Sequence, residues 1–154
     1  MLIRINAFTQ SHSNTIPKKY TCDGEGISPE ISWDEVPEKT ESFALIMEGL
    51  DVPNRSNPLV LWVIYNIPGP LRAIASNSTP SEAKVGINDL GKKRYSAPCP
   101  KPGTHKQRYQ VTLYSLDKTF VFLPDETTKE ELVKAMKHHI LAVTENIGFC
   151  ERHG

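Results

Sequence analysis

The chain contains the stretch Tyr95-Ser-Ala-Pro-Cys-Pro-Lys-Pro-Gly-Thr-His-Lys-Gln-Arg-Tyr109, which runs directly into Gln110-Val-Thr-Leu-Tyr-Ser-Leu116. Three prolines and a glycine between Pro98 and Gly103 form a stiff turn that excludes a helix or a central strand there. The following segment, Arg108–Leu116, is rich in β-branched and aromatic residues and predicts a buried strand. A rigid loop that brings polar side chains to the end of a core strand is typical of a small-molecule pocket.

Strand patterns elsewhere in the chain surround this segment. In Leu59–Asn66, seven of the eight residues are apolar or aromatic, which predicts a strand covered on both faces. Ser42–Glu48 has the same character, and weaker patterns predict strands at Leu2–Phe8 and Thr119–Leu123. Side-chain alternation places Gln107 and Tyr109 on one face of their strand, with Arg108 on the other, and groups Leu61 with Val63 and Tyr65.

Evidence for a helix is confined to the end of the chain. Thr128-Lys-Glu-Glu131 has the pattern of a capping box. Leu132, Met136, Ile140 and Val143 then follow at helical spacing, and Gly148 is a suitable stop. Strands first and a helix late predict a mostly β fold, an antiparallel β-sandwich with a C-terminal helix and short helices at its periphery.

Size and composition limit the possible functions. The 154 residues fit a single domain, residues 1–154. The 18 basic and 18 acidic residues balance, so we expect no nucleic-acid partner. The N-terminus lacks the pattern of a signal peptide, and no apolar run reaches membrane-spanning length. Three scattered cysteines argue against a disulfide framework and favour a cytoplasmic protein, although one pair is left open.

The common catalytic motifs do not fit. Gly26-Ile-Ser28-Pro-Glu30 lacks the second glycine of a serine-hydrolase elbow. His138 and His139 are adjacent on the predicted helix and project about 100° apart, so we expect no shared metal. Cys22 and Cys99 both lie in predicted loops and can approach one another; we expect idle thiols there, with a redox or ligand role as the alternative, and whether the two pair is left open. The sequence therefore predicts a protein without enzymatic activity, metal or cofactor.

Five motifs, in order along the chain, resemble the phosphatidylethanolamine-binding protein family, in particular its bacterial and archaeal Raf-kinase-inhibitor-like branch. The resemblance runs from about Ile16 to Gly148 and implies two packed antiparallel sheets with an anion-binding pocket at one end. The motifs are Tyr20-Thr-Cys-Asp-Gly-Glu-Gly-Ile-Ser-Pro29, Ile31-Ser-Trp33, Leu61-Trp-Val-Ile-Tyr-Asn-Ile-Pro68, Gly86-Ile-Asn-Asp89, and Ala97-Pro-Cys-Pro100 with Arg108-Tyr109.

The chain departs from the family pattern at three pocket positions. Gly49 stands where the family's Asp-Pro-Asp-x-Pro element has its first aspartate, and Leu61 and Gln107 replace two pocket histidines. The resemblance implies a degenerate pocket in which Tyr109 donates its hydroxyl, amides near Gly103 hold the anion, and His105 or Arg108 supplies charge. For Asp51, the alternative is a turn-forming side chain. The candidate ligand-binding residues are Asp51, Pro53, Leu61, Pro98, Pro100, Gly103, His105, Gln107 and Tyr109.

The function implied by the resemblance is binding of a small anion, either phosphate or a phosphorylated head group, by a ligand-binding or regulatory protein. The alternative is a protein-interaction module that inhibits a kinase or a serine protease through its proline-rich loops. Rigid loops suit this alternative because little conformational entropy is lost on binding. A homodimer is left open.

Overall fold

The structure is a computed structural model that describes residues 4–6, 14–103 and 105–152. The elements are β1 (Arg4–Asn6), a 3-10 turn (Lys18–Tyr20), β2 (Ile31–Asp34), β3 (Ser42–Gly49), β4 (Leu59–Pro68), β5 (Ala73–Ile74), β6 (Lys84–Val85), β7 (Gln107–Leu116), α1 (Lys129–Met136) and β8 (Ile140–Cys150). The strands form two antiparallel sheets: a five-stranded sheet in the order β6-β4-β3-β7-β8 and a three-stranded sheet in the order β1-β2-β5.

The three central strands confirm the strongest predictions. β3, β4 and β7 begin and end within two residues of the predicted bounds. One core cluster lies between the two sheets, where Trp33 of the small sheet contacts Phe43 of the large sheet with ring centroids 5.1 Å apart. A second cluster lies on the opposite face of the large sheet beneath α1, which buries Leu132 and Met136. Covering on both faces explains the continuous apolar runs.

The predicted helix is correct at its start and wrong in its extent. The Thr128 hydroxyl accepts a hydrogen bond from the Glu131 amide, and Glu131 returns the capping interaction. The helix ends at Met136, His138 adopts a positive φ of 71°, and the chain reverses into β8. β8 pairs with β7 along its length, so the β-branched residues of this segment lie in a strand, which they favour, and do not form a helical face.

The strand predicted at Thr119–Leu123 is also wrong. This segment is a loop whose Phe120 backbone is held on both sides by the Asn66 side chain. The Asn66 amide nitrogen donates to the Phe120 carbonyl at 2.6 Å, and the Phe120 amide donates back to Asn66 Oδ1 at 2.9 Å. These bonds satisfy the Phe120 backbone in place of a strand ladder, and the Phe120 ring is buried in the core cluster beneath α1.

The weak pattern at Leu2–Phe8 lies partly outside the described residues, which include β1 within it. Among the described residues, none of the helices is long and apolar enough to cross a membrane.

Candidate ligand pocket at the ends of the central strands

A cavity of about 280 Å³ lies where the starts of β4 and β7 meet the loop after β3 and the proline-rich loop. Most of its wall is apolar, and Gln107 and Tyr109 contribute buried polar groups. Lys101 is the lining residue with a charged side chain. The lining residues are Val52, Pro53, Asn54, Leu59, Leu61, Leu90, Ala97, Cys99, Pro100, Lys101, Gln107 and Tyr109.

Leu61 faces this cavity because β4 contains a β-bulge. Met47 pairs with Trp62 and Glu48 pairs with Val60, so Leu61 is the extra residue. A bulge redirects the side chain at that position. Leu61 therefore joins Trp62 in the core cluster between the sheets, whereas Val63 packs on the opposite face. Strict alternation, which grouped Leu61 with Val63, is wrong at this position.

Tyr109 forms the inner wall and depends on Gly49. The two residues are direct partners in the β3–β7 ladder. A Cβ atom at position 49 would lie 3.1 Å from Cε1 of Tyr109 and 3.2 Å from Cγ2 of Val52. Glycine thus lets the tyrosine ring lie against the β3 backbone, in the space that a side chain at position 49 would need.

The phenol of Tyr109 is a hydrogen-bond donor at neutral pH. Burial, with smaller contributions from Cys150 and Asp51, raises the pKa of Tyr109 well above its ordinary value. Its hydroxyl lies 3.5 Å from Oε1 of Gln107, which is the outer limit of a hydrogen bond. A ligand oxygen at this end of the cavity would therefore find a neutral donor with only a weak existing partner.

Asp51 and Arg108 pair with each other beside the cavity and do not line it. Arg108 donates from Nη2 to Oδ1 of Asp51 at 2.8 Å and from Nε to Oδ2 at 3.0 Å. The Arg108 backbone amide also donates to Oδ2 at 2.8 Å. The side-chain hydrogen bonds from Arg108 hold the pKa of Asp51 below its ordinary value despite partial desolvation. This pair fastens the loop after β3 to the start of β7.

The proline-rich loop forms the outer rim of the cavity and is tied to the 3-10 turn region by a Cys22–Cys99 disulfide. The expectation of idle loop thiols at these positions is therefore wrong. The sequence left this pairing open because 77 positions separate the two cysteines. Cys150 remains a free, buried thiol.

The remaining predicted residues lie outside the cavity wall. Pro98 is buried, and its carbonyl accepts a hydrogen bond from the Cys22 amide at 3.1 Å. The Gly103 amide donates to the Arg152 carbonyl at 2.8 Å, so it is occupied within the protein. His105 is exposed. Of the nine predicted residues, the structure brings five to the cavity: Pro53, Leu61, Pro100, Gln107 and Tyr109.

Sequence reasoning missed several lining residues, above all Lys101 and Cys99. Both lie in the proline-rich part of the stretch 95–109, and the rigidity of that loop was a signal that its side chains could form part of the pocket. Leu59 and Val52 were missed because apolar residues near strand ends resemble ordinary core positions. The described residues contain no cluster of three or more His, Cys, Asp or Glu side chains arranged for a metal ion.

Comparison with known proteins identifies the family. The model of the phosphatidylethanolamine-binding protein family matches residues 7–150. The chain belongs to this family. The UPF0098 protein of Methanothermobacter thermautotrophicus is 39% identical over 157 residues, which cover 99% of each chain. This family membership confirms the resemblance inferred from the five motifs.

Solved structures of family members share the architecture. A phosphatidylethanolamine-binding protein homologue from Chlamydia trachomatis superposes with a TM-score of 0.90 at 34% identity, covering 98% of both chains. YbcL of E. coli has the same fold, with a TM-score of 0.87 at 20% identity over 98% of this chain and 99% of that one. On this shared architecture, Leu61 and Gln107 line the cavity and Gly49 abuts its tyrosine wall.

Proposed function

We propose that this chain is a non-enzymatic ligand-binding and regulatory protein whose cavity takes a small anion with a short apolar portion. A phosphate monoester, including the phosphorylated end of a head group, has this chemistry. The observation that carries the proposal is the 280 Å³ cavity with apolar walls and polar groups from Lys101, Gln107 and Tyr109. Ligand pockets commonly span roughly 300–1,000 Å³, so this cavity suits a small molecule.

The polar residues have complementary roles. Tyr109 is the neutral donor described above, and the Gln107 amide supplies two further N–H donors. The Lys101 ammonium contributes positive charge from an exposed position on the rim. Leu59 and Leu61 offer apolar surface to the remainder of the ligand. This division supports an anionic head directed toward the polar groups and an apolar portion against the leucines.

Affinity should be modest because the family's acid and imidazole are replaced by Gly49 and Leu61. Hydrogen bonds to charged groups contribute roughly 1.5–3 kcal/mol each. Loss of one such bond weakens binding by about 10- to 150-fold. Millimolar dissociation constants for simple phosphate compounds are therefore expected.

The test is a titration of ¹⁵N-labelled protein with butyl phosphate, inorganic phosphate and butanol, following the amide signals of Lys101, Gln107 and Tyr109. Butyl phosphate should bind most tightly because it supplies both the anion and the apolar portion. From methyl to butyl phosphate, each buried methylene should strengthen binding about fourfold, corresponding to roughly 0.8 kcal/mol.

Two matched variants make the test specific. Lys101→Gln should weaken butyl phosphate binding several-fold, whereas Lys39→Gln, an exposed lysine outside the cavity, should not. Absence of saturable shifts at the cavity amides with any of the three compounds would refute the proposal. Equal weakening of butyl phosphate binding by both lysine variants would show that the ligand is held by nonspecific charge attraction, which also contradicts the proposal.

A second candidate function is inhibition of a kinase or serine protease through surface loops. The supporting observation is the exposed loop before α1, where Phe122 is 96% exposed and Val121 is 73% exposed. Aromatic side chains such as Phe122 are enriched in the buried core of protein interfaces. This function predicts that Phe122→Ser abolishes inhibition of a target enzyme while Lys101→Gln leaves it intact. The reverse pattern would favour the cavity.

The cytoplasmic location stays a prediction. The Cys22–Cys99 bond weighs against it, because stable disulfides are more typical of oxidising compartments. Cell fractionation combined with alkylation of free thiols would give both the compartment and the state of the pair there.

A further inference from the structure

We propose that the Cys22–Cys99 pair is a redox switch that controls ligand access and affinity at the cavity. The inference rests on the proposed function, since it assigns regulation to the same site. Cys99 lines the cavity, and Cys22 lies on the neighbouring turn across the rim. Both residues are exposed, so a soluble reductant can reach the bond.

The rim depends on this bond because its backbone has few donors of its own. The segment 97–101 supplies Ala97, Cys99, Pro100 and Lys101 to the cavity wall. Prolines 98 and 100 have no N–H group and cannot donate backbone hydrogen bonds. Its connections to the rest of the chain include the disulfide, the Cys22 amide, which donates to the Pro98 carbonyl, and Arg152 Nη1, which donates to the Pro100 carbonyl at 3.3 Å. The disulfide is the covalent one, and it shares Cys22 with the bond to the Pro98 carbonyl.

Arg152 makes the two sulfur atoms of the Cys22–Cys99 pair chemically different. Its Nη1 lies 3.5 Å from Sγ of Cys99 and 3.3 Å from the Pro100 carbonyl. Its Nε donates to Oδ1 of Asp23 at 3.1 Å, which fixes the guanidinium beside the sulfur. A cation next to a cysteine favours its thiolate form. Cys99 is therefore the better leaving group when the disulfide is opened.

The switching step follows from thiol–disulfide exchange with a low-molecular-weight dithiol. A thiolate of the dithiol attacks Sγ of Cys22, the S–S bond breaks, and Cys99 leaves as a thiolate beside Arg152. The second thiolate of the dithiol attacks the mixed disulfide, releases Cys22 and closes the reductant into its own disulfide. Two electrons pass to the protein, and the two protons of the dithiol end on the cysteine thiols.

The third cysteine does not compete in this reaction. Cys150 is buried, with 5% of its surface exposed. Burial is also the main cause that raises the pKa of the Cys150 thiol, which lowers its thiolate fraction and its reactivity. The switch is thus confined to Cys22 and Cys99, and Cys150→Ser is the matched control.

The test compares oxidised protein, protein reduced with dithiothreitol and the Cys22→Ser/Cys99→Ser variant. Alkylation and mass spectrometry should find one free thiol before reduction and three after it, because Cys150 alone is unpaired. Amide hydrogen exchange in segment 97–101 should accelerate on reduction. Circular dichroism of each sample confirms that the sheets remain folded during the measurements.

Butyl phosphate binding should weaken about tenfold on reduction, as expected if the free rim holds its binding arrangement about one tenth of the time. The double variant should bind weakly with or without dithiothreitol, and Cys150→Ser should respond like the wild type. Arg152→Gln should slow reduction, because Cys99 then leaves without a neighbouring cation.

The results separate this inference from the proposed function. Protein that binds butyl phosphate equally in both redox states, with unchanged exchange at 97–101, overturns the switch and leaves the binding function standing. Protein that binds in neither state refutes the proposed function. The exchange data then decide whether the bond orders the rim, since unchanged exchange at 97–101 overturns the switch and faster exchange there, while the sheets remain folded, supports control of the rim. Failure of Cys22 and Cys99 to pair under air oxidation also overturns the switch.

Discussion

Opening the Cys22–Cys99 bond should destabilise the whole fold, and the size of the effect can be worked out from the chain. The two cysteines are 77 positions apart. In the chain-entropy model, a cross-link closing a loop of this length lowers the entropy of the unfolded state by about 15 cal/mol/K. At 25 °C this corresponds to about 4.5 kcal/mol of folding stability. Domains of this size commonly have roughly 5–15 kcal/mol in total, so the loss would be severe.

The assay is urea unfolding monitored by tryptophan fluorescence, since Trp33 and Trp62 are both buried in the native state. Oxidised wild type, reduced wild type and the Cys22→Ser/Cys99→Ser variant are compared. With a slope of about 2 kcal/mol/M, the midpoint should fall by about 2 M on reduction. The slope should rise as well, because the unfolded chain without the cross-link exposes more surface.

Two outcomes would refute this reasoning. A midpoint shift below about 0.5 M would mean that the unfolded state is not expanded by loss of the cross-link, contrary to the entropy model. A large shift in the serine variant without one in reduced wild type would trace the loss to the serine side chains. Cys150→Ser provides the control for substituting a cysteine that forms no disulfide.

Three further perturbations test separate parts of the structure. Gly49→Ala should destabilise the fold by about 1 kcal/mol or more in urea unfolding, because the new Cβ crowds the buried Tyr109 ring; an unchanged midpoint would show that the ring moves freely. Asp51→Asn should lower stability at pH 7 through loss of the Arg108 pair. That pair lowers the pKa of Asp51 from its ordinary value of 3.8, so its contribution to folding stability is present above about pH 4 and is lost as the pH falls through the pKa of the folded protein. The difference in stability between variant and wild type should therefore close in acid, and a difference that does not change with pH would contradict this. Thr128→Ala should cost about 1 kcal/mol of stability by removing the helix cap, and a change below about 0.3 kcal/mol would show that packing alone holds the helix.

Strands buried on both faces could be predicted from the sequence because their composition leaves no alternative. β4 combines β-branched, aromatic and leucine residues over ten positions, too few for a membrane span and too β-rich for a helix. The capping box was equally decisive, since its hydrogen bonds are local and join residues three positions apart. Local interactions and continuous burial are the features that a single sequence records.

The errors arose where distant parts of the chain decide the structure. Leu132, Met136, Ile140 and Val143 fit one helical face, but the chain reverses after Met136 and β8 pairs with β7. The spacing across that turn was coincidental. Sequence alone also could not place Leu61, because a bulge depends on the register between β3 and β4. The cysteine pair, similarly, is formed by loops that meet only in the folded protein.

The three departures from the family pattern act together on one packing unit around Tyr109. Gly49 makes room for the tyrosine ring, the bulge directs Leu61 to the cavity wall, and Gln107 lies beside the tyrosine hydroxyl. A pocket that had merely lost its function would be expected to retain polar groups without partners, which are costly when buried. Among the described side chains, the buried nitrogen or oxygen atom without a hydrogen bond is Nε1 of Trp33, which belongs to the core between the sheets. The three positions therefore repack one apolar wall without leaving a fully buried polar side-chain atom unpartnered there, and the Tyr109 hydroxyl keeps only its 3.5 Å contact with Gln107.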